Sequence, residues 1–388
     1  MKHNIFSFLI CLLLFTCIFD PTGKWLGIKD FLYIFILVLF LLFLGKIYIF
    51  PKNVTTYIVS FCLIPILSII VFFFKNHFAL PEFSAYKCFL FLPITFVYIN
   101  YKTNVLKWLL FWLNALALMT IILNFISLPG DSIYMFGNKY DIFTTNYRQY
   151  GTLTYSYAYF HTSPLLVLSL SYYWWRYFQN KKIKDLLWTG IIVLAMFNSG
   201  TRNNMLMCII LLFMIWFFQL SLKGKFIGLL VCFCCCSILI FSSDVLDVLS
   251  GMFSLQDGSN SLKLVMLADY QREIFKFPDF FIGQGWSSPF WVTIKQSYDP
   301  VTELTYLDII RCYGVIMGGL MIYLMFWPIK ILSKHDNSKW LAFAYFGYLI
   351  MIIFNPFYFS SNGMILLSIV LYQLYHSSIN FNHTKHIL

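Results

Sequence analysis

An arginine and an aspartate three residues apart inside an apolar stretch are the first feature of this sequence that asks for chemistry. Asp308 and Arg311 lie in Thr302-Glu-Leu-Thr-Tyr-Leu-Asp-Ile-Ile-Arg-Cys-Tyr-Gly314, with Glu303 at its polar start. On a helix the two fall on one face, and an arginine at that depth needs a partner or water. Gly314 and Gly318 continue the stripe as a small-xxx-small contact surface. Two readings stay open: a local Asp308–Arg311 pair that merely lets the helix insert, or Arg311 as a phosphate ligand through its planar fork of donors.

Three further groups stand out. Asn198-Ser-Gly-Thr-Arg-Asn-Asn204 is a tight polar turn between apolar segments; Gly200 permits it and Arg202 projects from it, either to bind an anion or simply to snorkel. Ser261 to Phe275 has helical apolar spacing and reads as an amphipathic helix on a bilayer, carrying Arg272, and Pro278-Asp-Phe-Phe-Ile-Gly-Gln-Gly-Trp286 follows as a glycine turn beside aromatic residues. Tyr147-Arg-Gln-Tyr-Gly151 contributes Arg148, Tyr147 and Tyr150, and His161 lies just beyond. Aromatic faces beside polar groups suit sugar rings, and Trp286 joins Tyr147 and Tyr150 in that role; tyrosines equally form membrane-interface belts. A lone histidine at the start of a span is a structural residue or a proton acceptor.

The elements that must position these groups are membrane helices. Of 388 residues 60% are hydrophobic and 11% charged, less than half the charged fraction of about 25% in soluble domains. Runs such as 31–50, 109–128 and 205–220 are long enough to cross, or nearly cross, a hydrocarbon core of about 30 Å. Asn4 to Phe19 has no small-residue cleavage site after it and is expected as a retained first span. The ten cysteines fall in apolar segments, Cys232, Cys234, Cys235 and Cys236 crowding into one, which points to packing and not to a metal or disulfides.

The expected spans are about 4–19, 31–50, 57–74, 88–99, 108–128, 164–178, 186–198, 203–220, 226–243, 304–327, 340–354 and 362–375. That makes an all-α polytopic protein of about twelve spans (ten to twelve), with both termini on one side. With those termini in the cytoplasm, the inner segments hold fifteen basic residues and two acids, Asp185 and Asp336, while the longer outer segments hold eleven basic residues and thirteen acids. The positive-inside rule selects this orientation, so the net charge of +11 speaks of topology and not of nucleic acid. Two outer loops, 129–163 and 244–303, are long and aromatic-rich within what reads as one integral membrane domain, and loops of that kind are functional more often than disordered.

Four pieces in order and spacing resemble the bacterial O-antigen polymerase family, the Wzy-type integral membrane polymerases. They are Ser199-Gly-Thr-Arg-Asn-Asn204 heading a long span, Phe281-Ile-Gly-Gln-Gly-Trp286, Thr302-Glu-Leu-Thr-Tyr-Leu-Asp308 with Arg311, and Gly314 in the following helix. The resemblance covers about 148–326. It implies a GT-C-like, metal-independent membrane glycosyltransferase without a cofactor, working at the periplasmic face of a bacterial inner membrane in lipopolysaccharide biosynthesis. The implied substrates are undecaprenyl diphosphate-linked oligosaccharides, with membrane lipids around the protein and a chain-length-determining co-polymerase as a further partner.

That chemistry asks for cations at a leaving diphosphate and for a proton acceptor at the attacking hydroxyl. The resemblance assigns the first role to Arg202, Arg272, Arg311 and Arg148, and the second to Glu303, then Asp308, then His161. Two rivals remain. O-antigen ligases, which move glycan onto lipid A core, resemble one another in a histidine just ahead of the helix that begins here at Leu304, where this chain has Glu303. A flippase of lipid-linked oligosaccharide fits the span count but would show internal repeats and charges deep in several spans.

Overall fold

A computed structural model describes residues 2–43, 50–75, 86–101, 103–127, 130–150, 153–229, 250, 258–300 and 303–385. The helices are α1 (Lys2–Phe19), α2 (Lys29–Leu42), α3 (Lys52–Lys75), α4 (Ile94–Tyr101) after a 3-10 turn at Lys87–Phe91, α5 (Val105–Ile126), α6 (Ser132–Tyr140), α7 (Leu166–Asn180), α8 (Ile183–Asn198), α9 (Arg202–Gln219), α10 (Gly258–Ile274), α11 (Thr305–Leu332), α12 (Lys339–Met351) and α13 (Ser361–Lys385). Four of them, α3, α5, α9 and α11, are long and apolar enough to cross a membrane; α1, the 87–101 segment and α12 are shorter apolar helices. A helix lies at every expected span within the described residues; most of the expected span 226–243 lies outside them, as do Cys232, Cys234, Cys235 and Cys236.

Hydrogen bonds between distant segments define the two ends of the bundle. At one end His3 Nδ1 meets the Tyr101 carbonyl at 2.7 Å, Tyr372 donates to the Thr103 carbonyl at 3.3 Å, and Ser377 meets Ser338 at 3.3 Å. At the other end Thr162 donates to the Ile18 carbonyl at 2.8 Å, Tyr86 to the Trp286 carbonyl at 3.1 Å, and Thr305 to the Asn355 carbonyl at 2.8 Å. Every segment that the charge count groups as outer and that makes one of these bonds joins at this second end. One buried apolar cluster runs from α1 through α13 between them.

The expectation of an all-helical chain needs one amendment, for each large loop contains a β-hairpin. In the first, β1 (Phe143–Tyr150) pairs antiparallel with β2 (Leu153–Phe160), Phe143 opposite Phe160 and Arg148 opposite Tyr155. Phe143, Thr145, Ala158 and Phe160 are buried on one face, so the alternation sends Arg148, Tyr155, Tyr157 and Tyr159 to the other. In the second, β3 (Phe290–Val292) pairs with β4 (Ser297–Asp299).

The expected helix at 261–275 is present as α10, but its apolar stripe does not face lipid. Met266, Tyr270 and Ile274, one turn apart, are buried against Phe290, Val292 and Leu304, so protein already covers that face. Exposed apolar side chains lie on its other side, at Leu264 and Leu267, and just past its end, at Phe275, Phe277, Phe281 and Ile282.

Candidate functional site

The second loop is locked to α11 by a break in that helix. Gly314 has φ 73° and ψ 173°, outside the helical region, so the peptide groups around it leave carbonyls unpaired. Gln284 and Gly285 supply the missing donors, their backbone N–H groups reaching the Arg311 and Cys312 carbonyls at 2.9 Å each. The Phe281-Ile-Gly-Gln-Gly-Trp286 segment and Gly314 are thus two halves of one joint. The expected stripe from Asp308 to Gly318 is corrected accordingly: the helix does not run straight through Gly314, so Gly318 is not on the same continuous face.

Arg311 sits at the centre of that joint, with its side chain 0% exposed. Nε and Nη2 donate to Asp308 Oδ1 at 3.0 and 2.7 Å, Nη1 to Gln284 Oε1 at 3.1 Å and the Ser288 carbonyl at 2.7 Å, and Nη2 also to the Pro300 carbonyl at 3.0 Å. The guanidinium lies 4.3 Å from the Phe290 ring centroid. Its five donors are spent on protein. The pairing with Asp308 therefore holds, and Arg311 fastens the second loop where a phosphate ligand was expected. Asp308 also accepts from Tyr270 at 3.2 Å and is buried, which takes it out of reach of a substrate hydroxyl.

Arg272 belongs to the same structural group. It reaches Asp269 at 3.1 Å, Glu273 at 3.5 Å and the Trp291 carbonyl at 3.4 Å, with half of its side chain exposed. Asp269 in turn accepts from the Thr293 N–H at 2.8 Å and its hydroxyl at 2.7 Å, holding the β3–β4 turn. Trp286 is not available to a sugar either: it is buried, stacked on Tyr313 at 5.5 Å, and its backbone N–H donates to the Ser68 hydroxyl at 3.0 Å.

The other arginines meet elsewhere. Arg148 on β1 donates to the Gly200 carbonyl, two residues before Arg202, and lies 5.9 Å from the Tyr157 ring. Gly200 has φ 68°, and a Cβ there would fall 2.4 Å from the Tyr157 ring, so no other residue fits between the turn and the hairpin. Thr201 caps α9 by accepting from the Asn204 N–H at 3.4 Å. Asn204 Nδ2 donates to Ser199 at 2.7 Å and to Ser163 at 2.9 Å, and Asn203 to the Met351 carbonyl at 3.3 Å. The polar turn thereby ties the hairpin, the segment after His161 and the end of α12 together.

His161 faces a cavity of about 240 Å³ beside that turn. Its Nε2 pairs with Asp141 at 2.9 Å, and Lys24 holds the other carboxylate oxygen at 3.2 Å. Burial alone would raise the Asp141 carboxyl; Lys24 and His161 more than offset it and hold it below the ordinary 3.8. A carboxylate only accepts, so Nε2 is the donor of that pair, and in the neutral ring Nδ1 is left as an acceptor. Glu303 is exposed at the start of α11, near enough to Tyr159 that its charge adds to burial in raising that phenol.

The sequence candidates therefore divide in two. The 199–204 turn that carries Arg202 is bonded to Arg148 and to Ser163, two residues after His161, while Glu303 lies within electrostatic reach of Tyr159 and two residues before Thr305, which donates to the Asn355 carbonyl. Arg311, Asp308, Arg272 and Trp286 form the joint of the second loop. Tyr147 is 55% exposed on β1, clear of both; Tyr150 is in the same strand, and its side chain lies outside the described residues. Sequence reasoning passed over Asp141, Lys24 and Asn362, none of which belongs to a motif.

No protein-family model, no curated protein and no solved structure matches the chain.

Proposed function

We propose that the chain is a polysaccharide polymerase of bacterial surface glycan assembly, a twelve-span, GT-C-like membrane enzyme with cytoplasmic termini that joins undecaprenyl diphosphate-linked repeat units at the periplasmic face of the inner membrane. The observation that carries the reading is the tie between the Arg202 turn, Arg148 and the His161–Asp141 pair at the end of the bundle that holds both large loops. Cations and a hydrogen-bonded imidazole carried by connected segments are the groups that transfer from a lipid diphosphate to a sugar hydroxyl requires.

In this reading Arg148 and Arg202 take the diphosphate and His161 becomes the first choice of proton acceptor, ahead of Glu303; Asp308 and Arg311 pass to a positioning role. The acceptor oxygen bonds the anomeric carbon of the second unit, whose bond to the diphosphate breaks with the electron pair leaving on phosphate. No metal is invoked, because the arginines neutralise the departing charge in a site partly withdrawn from water. A chain-length co-polymerase is part of the same proposal.

The test is the glycan ladder of a deletion strain. Single repeat units on the lipid core support the reading, whereas complete loss of glycan assigns the chain to the ligase or flippase step and overturns it.

A further inference from the structure

We propose that the cavity beside His161 is a subsite for one uncharged sugar ring, bound through Asn362 and His161. Binding itself is argued from the cavity; the ring's role as acceptor rests on the polymerase reading. Thr22, Asp141, His161, Tyr348, Phe357 and Asn362 contribute to the wall. At about 240 Å³ the space is smaller than the ~300–1,000 Å³ of pockets for drug-sized ligands, which suits one ring and not an oligosaccharide.

Charge selects the ligand class. Asp141 is already matched by Lys24, and a neutral His161 donating to it adds no charge, so an entering anion or cation would find no uncompensated partner. The neutral polar groups are the ones left over. Asn362 Oδ1 is enclosed and accepts no hydrogen bond from any described residue, and His161 Nδ1 makes none either. Two acceptors without donors, set among Pro21, Pro164, Leu165 and Phe357, match a molecule with hydroxyl donors on its edge and C–H groups on its face.

The arrangement also defines a step. A ring hydroxyl donating to His161 Nδ1 is activated as its oxygen attacks: the proton passes to Nδ1, the imidazolium is held by Asp141, and the leaving diphosphate takes the electron pair of the broken bond. Asn362, on the wall of the same cavity, fixes which ring hydroxyl points at the histidine and is a specificity determinant, not a catalytic residue.

Saturation-transfer NMR on the full chain in nanodiscs, with methyl gluco-, galacto- and mannopyranosides and methyl glucuronoside as probes, tests the subsite without requiring turnover. Transfer to at least one neutral hexoside is expected, falling to the empty-nanodisc level in Thr22→Trp, which fills the mouth from an exposed position, and at least fivefold in Asn362→Ala. Equal transfer in wild type and Thr22→Trp, no transfer to any neutral hexoside, or transfer to the glucuronoside alone overturns the proposal. The two readings fail separately. Cavity-dependent transfer with an unchanged ladder on gene deletion keeps the subsite and removes the polymerase, and ladder loss without cavity-dependent transfer does the reverse.

Discussion

Gly283 and Gly314 occupy each other's side-chain space: a Cβ on Gly283 would lie 2.5 Å from the Gly314 nitrogen, and one on Gly314 would lie 2.8 Å from the Gly283 nitrogen and 2.1 Å from the Phe281 carbonyl oxygen. Both have positive φ as well. Gly314→Ala is therefore expected to separate the second loop from α11, at a cost of about 1–3 kcal/mol from backbone strain before any clash is counted. Limited proteolysis should find new cuts in 275–300, with α9 and α12 still protected; an unchanged digest would show that the joint tolerates a methyl group.

Arg311→Ala leaves Asp308 buried without its cation, and loss of one partner of a buried pair costs about 3–5 kcal/mol. The expected outcome is a lower melting temperature and lower yield in detergent. Arg311→Lys should rescue little, because one ammonium cannot span Asp308, Gln284, Ser288 and Pro300 together. If either variant kept wild-type melting but lost product, Arg311 would return to the list of diphosphate ligands.

At the proposed site the effect is of the opposite kind. Arg202→Ala should fold normally and lower polymer formation by about 10²–10³-fold, the scale of removing one donor from a developing charge. Arg148→Ala should act in the same direction and in addition loosen the contact between β1 and the Gly200 turn. Membrane abundance beside the glycan ladder separates the two, and full polymer with Arg202→Ala would exclude that residue.

Acid should weaken both loops. Asp141 is held below its ordinary range, and so is Glu273, where Lys276, Gln284 and Arg272 outweigh the upward effect of burial. A depressed carboxyl pKa means stability that is whole above the unfolded values of 3.8 and 4.5 and declines as pH falls through the folded ones. Hydrogen exchange in β1–β2 and α10 should thus rise below about pH 4, where these carboxylates take up protons. Asp141→Asn should flatten the response in the hairpin alone; equal acid sensitivity in that variant would point to other groups.

With the Met266, Tyr270 and Ile274 stripe of α10 covered by protein, Phe275 and Phe277, 71% and 84% exposed, are the side chains of the second loop expected to meet lipid. They continue the exposed side of α3 at Ile66, Ile70 and Phe74, to which Lys75 links them through Asp279 and the Gly283 carbonyl. Phe277→Trp should fluoresce from an apolar setting and be quenched by brominated acyl chains; quenching by aqueous acrylamide instead would place the tip in water.

Helix positions were legible because a membrane span is a matter of length and apolarity, and lysine clusters such as Lys181, Lys182 and Lys184 mark which ends belong together. The first hairpin was not read, although Leu153-Thr-Tyr-Ser-Tyr-Ala-Tyr-Phe160 alternates and Gly151-Thr152 precedes it as a two-residue connection; its tyrosines invited the interface-belt reading. Arg311 could not be interpreted locally, since Gln284, Ser288 and Pro300 are 11 to 27 residues away. The cavity was invisible for the same reason: Asp141 and Asn362 become neighbours only through the fold.

The interruption at Gly314 has a mechanical consequence. Thr305 to Tyr313 are bolted to the outer loop through Arg311 and to the bundle through Thr305 and Tyr306, which donate to the Asn355 and Leu349 carbonyls, so the break couples the loop to the core and does not free it. A load on that loop is therefore handed across the broken turn into the neighbouring helix α12, and α11 cannot be displaced there without it.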